Sequence, residues 1–124
     1  MKETILLFNA PAREELLKIE TALFPLHIRL RKIKKEDYCQ PLGVLAGIKE
    51  MSPAESKYEG PELPGTMFVF CFLSDSRLNK VLAALRRCGA GPFPYKAILT
   101  PTNSIWTAPD CFDEIRREHE ALHK

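Results

Sequence analysis

The chain has 124 residues, of which 45% are hydrophobic and 27% charged, and its formal net charge is +2. This length and composition are typical of one globular domain and exclude a disordered or fibrous protein. No apolar run approaches the roughly 18 to 20 residues that a membrane span needs, and a charge of this size does not by itself indicate a nucleic acid partner. The N-terminal apolar run ends at Phe8 without a signal-peptide pattern, so we expect a cytoplasmic protein that does not contact membranes.

The four cysteines, Cys39, Cys71, Cys88 and Cys111, form no CxxC pair. This spacing excludes a zinc ribbon and favours buried thiols in a reducing compartment over a disulfide framework. The sequence contains neither a glycine-rich phosphate loop nor a GxSxG elbow. We therefore expect no cofactor.

The first half of the chain predicts a strand, a helix, a second strand and a short helix. The continuous apolar run Thr4–Phe8 predicts a buried strand, and the spacing of apolar residues over 10–24 predicts a helix. The alternation over 27–35 predicts a basic edge strand, and Asp37 and Gln40 resemble a capping box before a short helix over 41–48. The prolines and glycines of 51–65 predict an exposed loop.

The second half predicts strand, helix, strand and helix again. The aromatic run over 66–73 predicts a central strand, and Ser74 or Asp75 begins a helix that the glycines after Cys88 end. A fourth strand is predicted over 95–99, and Thr107 with Asp110 predicts the cap of a last helix that runs to about Glu120. The residues expected on the buried side of that helix are Phe112, Ile115, His119 and Leu122. No internal repeat is visible in the sequence.

Strands joined through helices run parallel, and the long link between the second and third strands exceeds a hairpin loop. We therefore predict a single α/β domain over 1–124: a small three-layer sandwich with helices on both faces of a four-stranded, mostly parallel sheet in the order 2-1-3-4. The alternative is a ferredoxin-like α+β sandwich in which the second and third strands are antiparallel.

A parallel sheet would bring four polar strand ends to one rim, which is where ligands bind in open α/β sheets. Helix capping accounts for several of these residues, but it does not account for the turn that joins the fourth strand to the last helix. We therefore predict a non-enzymatic module that binds a ligand or a protein through the rim around the 99–107 turn. Its candidate residues are Asn9, Asp37, Gln40, Asp75, Thr100, Thr102, Asn103 and Trp106.

Two alternatives are enzymatic. Asp37 or Asp75 could serve as a general base in a small hydrolase or transferase, and Cys39 or Cys111 could act as a nucleophile if a histidine lay beside it. Residues 119–123 read HExxH, which on a helix places His119 and His123 one turn apart, as in zinc hydrolases. A catalytic zinc needs a third ligand, and none follows in the sequence, so we predict no metal.

A nucleic acid accessory protein is a third alternative, because two groups of basic residues could follow a phosphate backbone. A structural explanation is that these charges protect an edge strand from aggregation and solvate a helix face. The basic residues are also not interleaved with the aromatic residues on which single-strand binders stack bases. The two groups are Arg29, Arg31, Lys32, Lys34 and Lys35, and Arg77, Lys80, Arg86 and Arg87. We name no specific partner, and homodimerisation is left open.

Two segments, 35–43 (KEDYCQPLG) and 95–107 (YKAILTPTNSIWT), together with Glu118-His119-Glu120, resemble a bacterial family known as domain of unknown function 3783. The turn over 99–107 is its distinctive part. The resemblance implies a bacterial, free-standing small domain, and it brings no activity, cofactor or catalytic residue that could be assigned here.

Overall fold

The computed structural model describes residues 2–122. The strands are β1 (Thr4–Phe8), β2 (Arg29–Ile33), β3 (Met67–Cys71) and β4 (Tyr95–Ile98). The α-helices are α1 (Arg13–Leu23), α2 (Leu42–Ala46), α3 (Asp75–Arg87) and α4 (Ala108–Leu122), and 3₁₀ turns lie at Phe24–Leu26, Lys35–Asp37 and Asn103–Ile105. Each predicted strand and helix is present, with bounds that differ by at most four residues.

The strands form one sheet in the order β2-β1-β3-β4. This confirms the small α/β sandwich and the strand order. The pairs β1–β2 and β3–β4 are parallel, whereas the central pair β1–β3 is antiparallel, with Thr4 opposite Cys71 and Phe8 opposite Met67. The carboxyl ends of β1 and β2 therefore lie at one end of the sheet, and those of β3 and β4 lie at the other.

The expectation of one shared rim is wrong for this reason. The segment between Ile33 and Met67 begins and ends at the same end of the sheet. The chain therefore enters β3 from the end at which it left β2, and β3 runs antiparallel to β1 and β2. A link of this length carries no signal that chooses between the two directions.

The core has two layers, one on each face of the sheet. Helices α1 and α3 cover one face, on which Ile5, Leu7 and Phe68 are buried. Helices α2 and α4 cover the other face, on which Leu6 and Val69 are buried. All residues of β1 and β3 are buried, as their uninterrupted apolar runs predict for central strands covered on both sides.

The chain is built from two similar units that share the order strand, helix, strand, 3₁₀ turn, helix, with one additional 3₁₀ turn, Phe24–Leu26, before the second strand of the first unit. The first unit comprises β1, α1, β2 and α2, and the second comprises β3, α3, β4 and α4. The antiparallel β1–β3 seam joins the units, with Leu6 opposite Val69 at its middle. An approximate two-fold axis, normal to the sheet and passing between these two residues, therefore relates the two units.

Details of the two units agree with this relation. The residue after β1, Asn9, has a φ of 52°, and the residue after β3, Phe72, has a φ of 65°. The buried helix residues also correspond, since Ile19 and Leu23 in α1 match Val81 and Leu85 in α3. The likeness between the units therefore lies in element order and buried positions, whereas the sequence itself shows no repeat.

Helix α4 differs from its prediction at its end. Phe112 is buried and Ile115 packs against the core, as expected, but Leu122 is 83% exposed. The helical spacing of apolar residues in α4 thus extends to Leu122, although the side chain of Leu122 is not packed against the core.

Candidate functional site

At the end where β1 and β2 finish, the candidate Asn9 fastens the long loop that joins the two units. Its side-chain amide donates to the carbonyl of Leu63 (2.9 Å), and its own carbonyl accepts from the Thr66 hydroxyl (2.7 Å). The Asn9 N–H donates to the hydroxyl of buried Tyr38 (3.0 Å), which in turn donates to the Glu62 carboxylate. Burial and then Glu62 raise the pKa of Tyr38 above its ordinary value. These contacts explain Asn9 as a structural residue.

Gln40 has a similar role in the same loop. Its side-chain amide makes two hydrogen bonds with the backbone of Ala54, donating at 2.9 Å and accepting at 2.8 Å. The capping box predicted for Asp37 and Gln40 does not form, because α2 begins after Pro41 without a side-chain cap. The N–H of Leu42 donates instead to the carbonyl of Trp106 (2.9 Å), which ties the second unit to the first.

At the opposite end, the turn after β4 is held by Asn103. The Asn103 side chain accepts from the Thr100 N–H (2.8 Å) and donates to the carbonyl of Ile98 (2.9 Å). The Thr100 hydroxyl returns a bond by accepting from the Asn103 N–H (3.1 Å), and Ser104 donates to the carbonyl of Pro101 (2.9 Å). Most polar groups of the turn are therefore engaged within it, whereas the exposed Thr102 side chain makes no hydrogen bond to residues 2–122.

The structure thus separates the candidate rim residues into two groups. Asn9, Asp37 and Gln40 lie at one end of the sheet, and Asp75 lies with the 99–107 turn at the other. Asp75 is exposed at the start of α3, which Ser74 caps by accepting from the N–H of Arg77 (3.2 Å). The second group borders a groove through Asn103 and Trp106.

This groove, of about 420 Å³, lies along β4 at the edge of the sheet. Leu78 and Leu82 of α3 form one wall, Ile115 of α4 forms part of the other, and the turn closes one end. We call it the β4 groove. Its lining residues are Phe70, Leu78, Leu82, Lys96, Ala97, Ile98, Asn103, Trp106, Cys111, Glu114, Ile115 and Glu118.

The backbone of β4 presents hydrogen-bonding groups to this groove. The N–H of Leu99 donates to the carbonyl of Phe70 (2.9 Å), and Ala97 lies opposite Val69 in the parallel pair. Alternate residues of a strand direct their backbone groups to opposite sides, so those of Lys96 and Ile98 point away from β3. The Asn103 side chain donates a hydrogen bond to the Ile98 carbonyl. The other three outward-pointing groups, the Lys96 N–H, the Lys96 C=O and the Ile98 N–H, have no hydrogen-bond partner within residues 2–122.

The first unit provides an internal comparison, because β2 is the other edge of the sheet. Lys32 of β2 occupies the position that corresponds to Ile98, and Glu20 of α1 corresponds to Leu82. Lys32 and Glu20 form an ion pair (3.5 Å), so that edge is charged, as natural edge strands usually are. In the second unit the same two positions are apolar, and Ile98 is 53% exposed.

Charges of opposite sign lie on the two sides of the β4 groove. Lys96 shares the α3 side with Ile98, since these residues lie opposite Phe68 and Phe70. Burial and then the nearby Arg86 lower the pKa of Lys96. On the α4 side, burial raises the pKa of Cys111 to about 12, and a row of carboxylates along the same helix face contributes to that rise. The row consists of Asp110, Glu114 and Glu118.

The predicted general bases, Asp37 and Asp75, lie at opposite ends of the sheet. Burial raises the pKa of Cys71 and of Cys111 to about 12, whereas a nucleophilic cysteine needs a lowered pKa. Within residues 2–122 no group of three or more potential ligands could hold a metal ion. His119 packs against the Tyr95 ring (6.0 Å between centroids), and His123 lies outside the described residues.

Several of the basic residues considered for nucleic acid binding have partners inside the protein. Arg77 makes two bonds of 3.0 Å to the Glu3 carboxylate and also donates to the carbonyl of Leu26. Arg31 donates to the carbonyl of Leu45. Among the described residues, no helix is long and apolar enough to cross a membrane.

Sequence reasoning placed Asn103 and Trp106 at the site but missed its apolar wall and its acidic row. The apolar wall could have been inferred from Ile98, because an apolar side chain in a predicted edge strand needs a surface to pack against. The signal for the acidic row was the i, i+4 spacing of Asp110, Glu114 and Glu118, which places all three on one helix face.

Together these features define a small α/β sandwich of two related units, one of which leaves its edge strand open beside an apolar groove. Residues 66–122 match the model of the family DUF3783, described as a domain of unknown function. The match begins just before β3 and ends with α4, so it spans the second unit. No curated protein and no solved structure matches the chain.

Proposed function

We propose that this protein is a non-enzymatic binding module that docks a segment of a partner protein in the β4 groove. The proposal keeps the 99–107 turn as part of the site but moves the contact surface from its polar residues to the apolar groove beside it. Asn103 and Trp106 serve as the closed end of the groove, and Ile98 and Leu82 provide the apolar contact.

The observation that carries the proposal is the difference between the two sheet edges. An exposed apolar edge strand is an aggregation hazard that proteins normally avoid with lysine or charge. The first unit protects its edge with the Lys32–Glu20 pair, and the second unit has Ile98 and Leu82 at the same positions. An apolar surface kept beside unpaired backbone groups is typical of sites that accept a further strand.

The test is selection of peptides from a random displayed library on the full chain, followed by fluorescence anisotropy of the selected peptides. We expect them to bind the wild type and to lose at least about tenfold in affinity with Ile98→Lys, because a charge then occupies the centre of the contact. Leu17→Lys is the matched control, since Leu17 is 63% exposed on α1 away from the groove and its replacement should leave affinity unchanged.

Circular dichroism and thermal unfolding should show that both variants fold, since both replaced side chains are more than half exposed. Failure to enrich any peptide, or equal binding to the wild type and Ile98→Lys, would contradict the proposed function.

We also place the protein in the bacterial cytoplasm, working as one domain. All four cysteines are unpaired, which supports a reducing compartment. The two units share one sheet, which supports a single working domain.

A further inference from the structure

We infer that the occupant of the β4 groove is an extended segment that adds to β4 as a fifth strand and carries basic side chains toward α4 and apolar side chains toward α3. This inference rests on the proposed function and specifies the partner's chemistry. It is carried by three observations: the unpaired backbone groups of β4, the apolar α3 side, and the acidic α4 side.

The unpaired backbone groups require an extended occupant. The Lys96 N–H and C=O and the Ile98 N–H lie in one row, which matches the alternating groups of a neighbouring strand. Asn103 already bonds the Ile98 carbonyl, so added pairing stops at the turn. The segment is therefore short, with its hydrogen bonds centred on Lys96 and Ile98.

The side chains of an added strand alternate between the two walls of the groove. Those on the α3 side meet Ile98, Leu78 and Leu82, together with Lys96, whose ammonium donates to the carbonyl of Phe93; the three apolar side chains favour apolar residues. Those on the α4 side meet Glu118 and, one helical turn before it, Glu114, which also pairs with the exposed Arg117 (3.1 Å). Lysine or arginine at alternate positions of the added strand would be attracted to these carboxylates, Glu118 above all, while its aliphatic stem covers Ile115.

The same charges argue against a second copy of this chain as the occupant. Two β4 strands paired antiparallel about a two-fold axis would keep α4 of both copies on the same face of the joined sheet. The rows containing Glu114 and Glu118 would then approach each other, as would Lys96 and its copy, so like charges would meet on both faces. A nucleic acid is disfavoured at this groove by the same carboxylates.

The first experiment uses three fluorescein-labelled hexapeptides with the full chain at low salt: alternating valine and lysine, alternating valine and glutamate, and alternating valine and serine. We expect the valine–lysine peptide to bind at least about tenfold more tightly than the valine–glutamate peptide. The double variant Glu114→Lys/Glu118→Lys should reverse this preference. The control Glu59→Lys/Glu120→Lys changes the net charge equally, uses exposed residues outside the groove, and should preserve it.

The second experiment separates strand addition from simple charge attraction. Alternate amides of a bound strand face β4, so methylating the amide nitrogens of either the valines or the lysines should abolish binding while methylating the other set spares it. Equal binding by the parent and both methylated peptides would overturn strand addition, and equal binding of the lysine and glutamate peptides would overturn the charge assignment.

These outcomes are distinct from failure of the proposed function. If library-selected peptides depend on Ile98 but are not basic, the docking site stands and the inference about its occupant is wrong. If no peptide depends on Ile98, both are wrong.

Discussion

Asn103 shows how a polar residue in a distinctive turn can be mainly structural. It is 9% exposed, and its side chain bonds both the N–H that begins the turn at Thr100 and the carbonyl that ends β4 at Ile98. It therefore sets the path of the turn and also limits how far β4 can pair with another strand. A short amide side chain is suited to both tasks because it donates and accepts at once.

Asn103→Ala should lower the free energy of unfolding by about 1–3 kcal/mol, because two partly buried backbone groups lose their partner. Urea denaturation monitored by circular dichroism measures this change. Thr102→Ala is the matched control from the same turn: its exposed side chain makes no hydrogen bond to residues 2–122, so its effect should stay within about 0.5 kcal/mol. Equal effects of the two variants would contradict the role assigned to Asn103.

The sequence could identify this turn but not divide its residues between structure and binding. The types and positions of Thr100 and Asn103 indicate local hydrogen bonding, and a binding role predicts the same residue types. The tertiary partners decide between them. For Asn9 and Gln40 those partners are Leu63 and Ala54, which are distant in the chain and invisible to local patterns.

At the scale of elements, the two edge strands solve the same problem in different ways. β2 has a charged outer surface, and α1 contributes Glu20 to hold Lys32 in place. β4 relies on its short length, on Lys96 and on the Asn103 contact at its end, while Ile98 stays exposed. The relation between the units shows that Ile98 corresponds to Lys32 in the edge strands and that Leu82 corresponds to Glu20 in the helices.

Exchanging these positions should transfer the apolar edge to the first unit. The double variant Glu20→Leu/Lys32→Ile places the residues of Leu82 and Ile98 at the corresponding positions of α1 and β2 and removes the ion pair, so we expect self-association that rises with protein concentration. Sedimentation velocity measures it. The control Glu20→Gln/Lys32→Gln removes the ion pair without adding apolar surface and should remain as monodisperse as the wild type. Self-association of both variants, or of neither, would show that the apolar residues do not control this edge.

Most elements were predictable because their signals are local. Continuous apolar runs marked β1 and β3, helical spacing marked α1 and α3, and Ser74 marked a cap that forms. Strand direction was not predictable, since the segment between β2 and β3 is long enough for either orientation. The β4 groove was also hidden, because its walls come from α3, β4 and α4, which meet only in the folded chain.

At the scale of the whole molecule, the β1–β3 seam is the structural centre. Both strands are buried on both faces, and Leu6 and Val69 face the same layer on either side of the approximate two-fold axis. Neither unit can complete its sheet without the other, since each would leave an apolar central strand with an unpaired edge. We therefore expect the two units to unfold together.

Leu6→Ala should lower the free energy of unfolding by about 2–5 kcal/mol, because it leaves a cavity at the seam. Hydrogen exchange should show the loss in the slowest amides of both units, β3 and α3 included, because the units share one cooperative transition. Leu17→Ala, at an exposed α1 position, should change exchange little and serves as the control. Loss of protection confined to β1 and α1 would show that the units are independent.

The relation between the units has one further consequence, which concerns how such a protein can vary. In an assembly of two identical chains, any substitution on one outer edge would appear on the other as well. Here both edges belong to one polypeptide, so a codon change at Lys32 leaves Ile98 untouched. One edge can stay closed to neighbours while the other changes its residues to suit a partner, without the risk that the molecule polymerises from both ends.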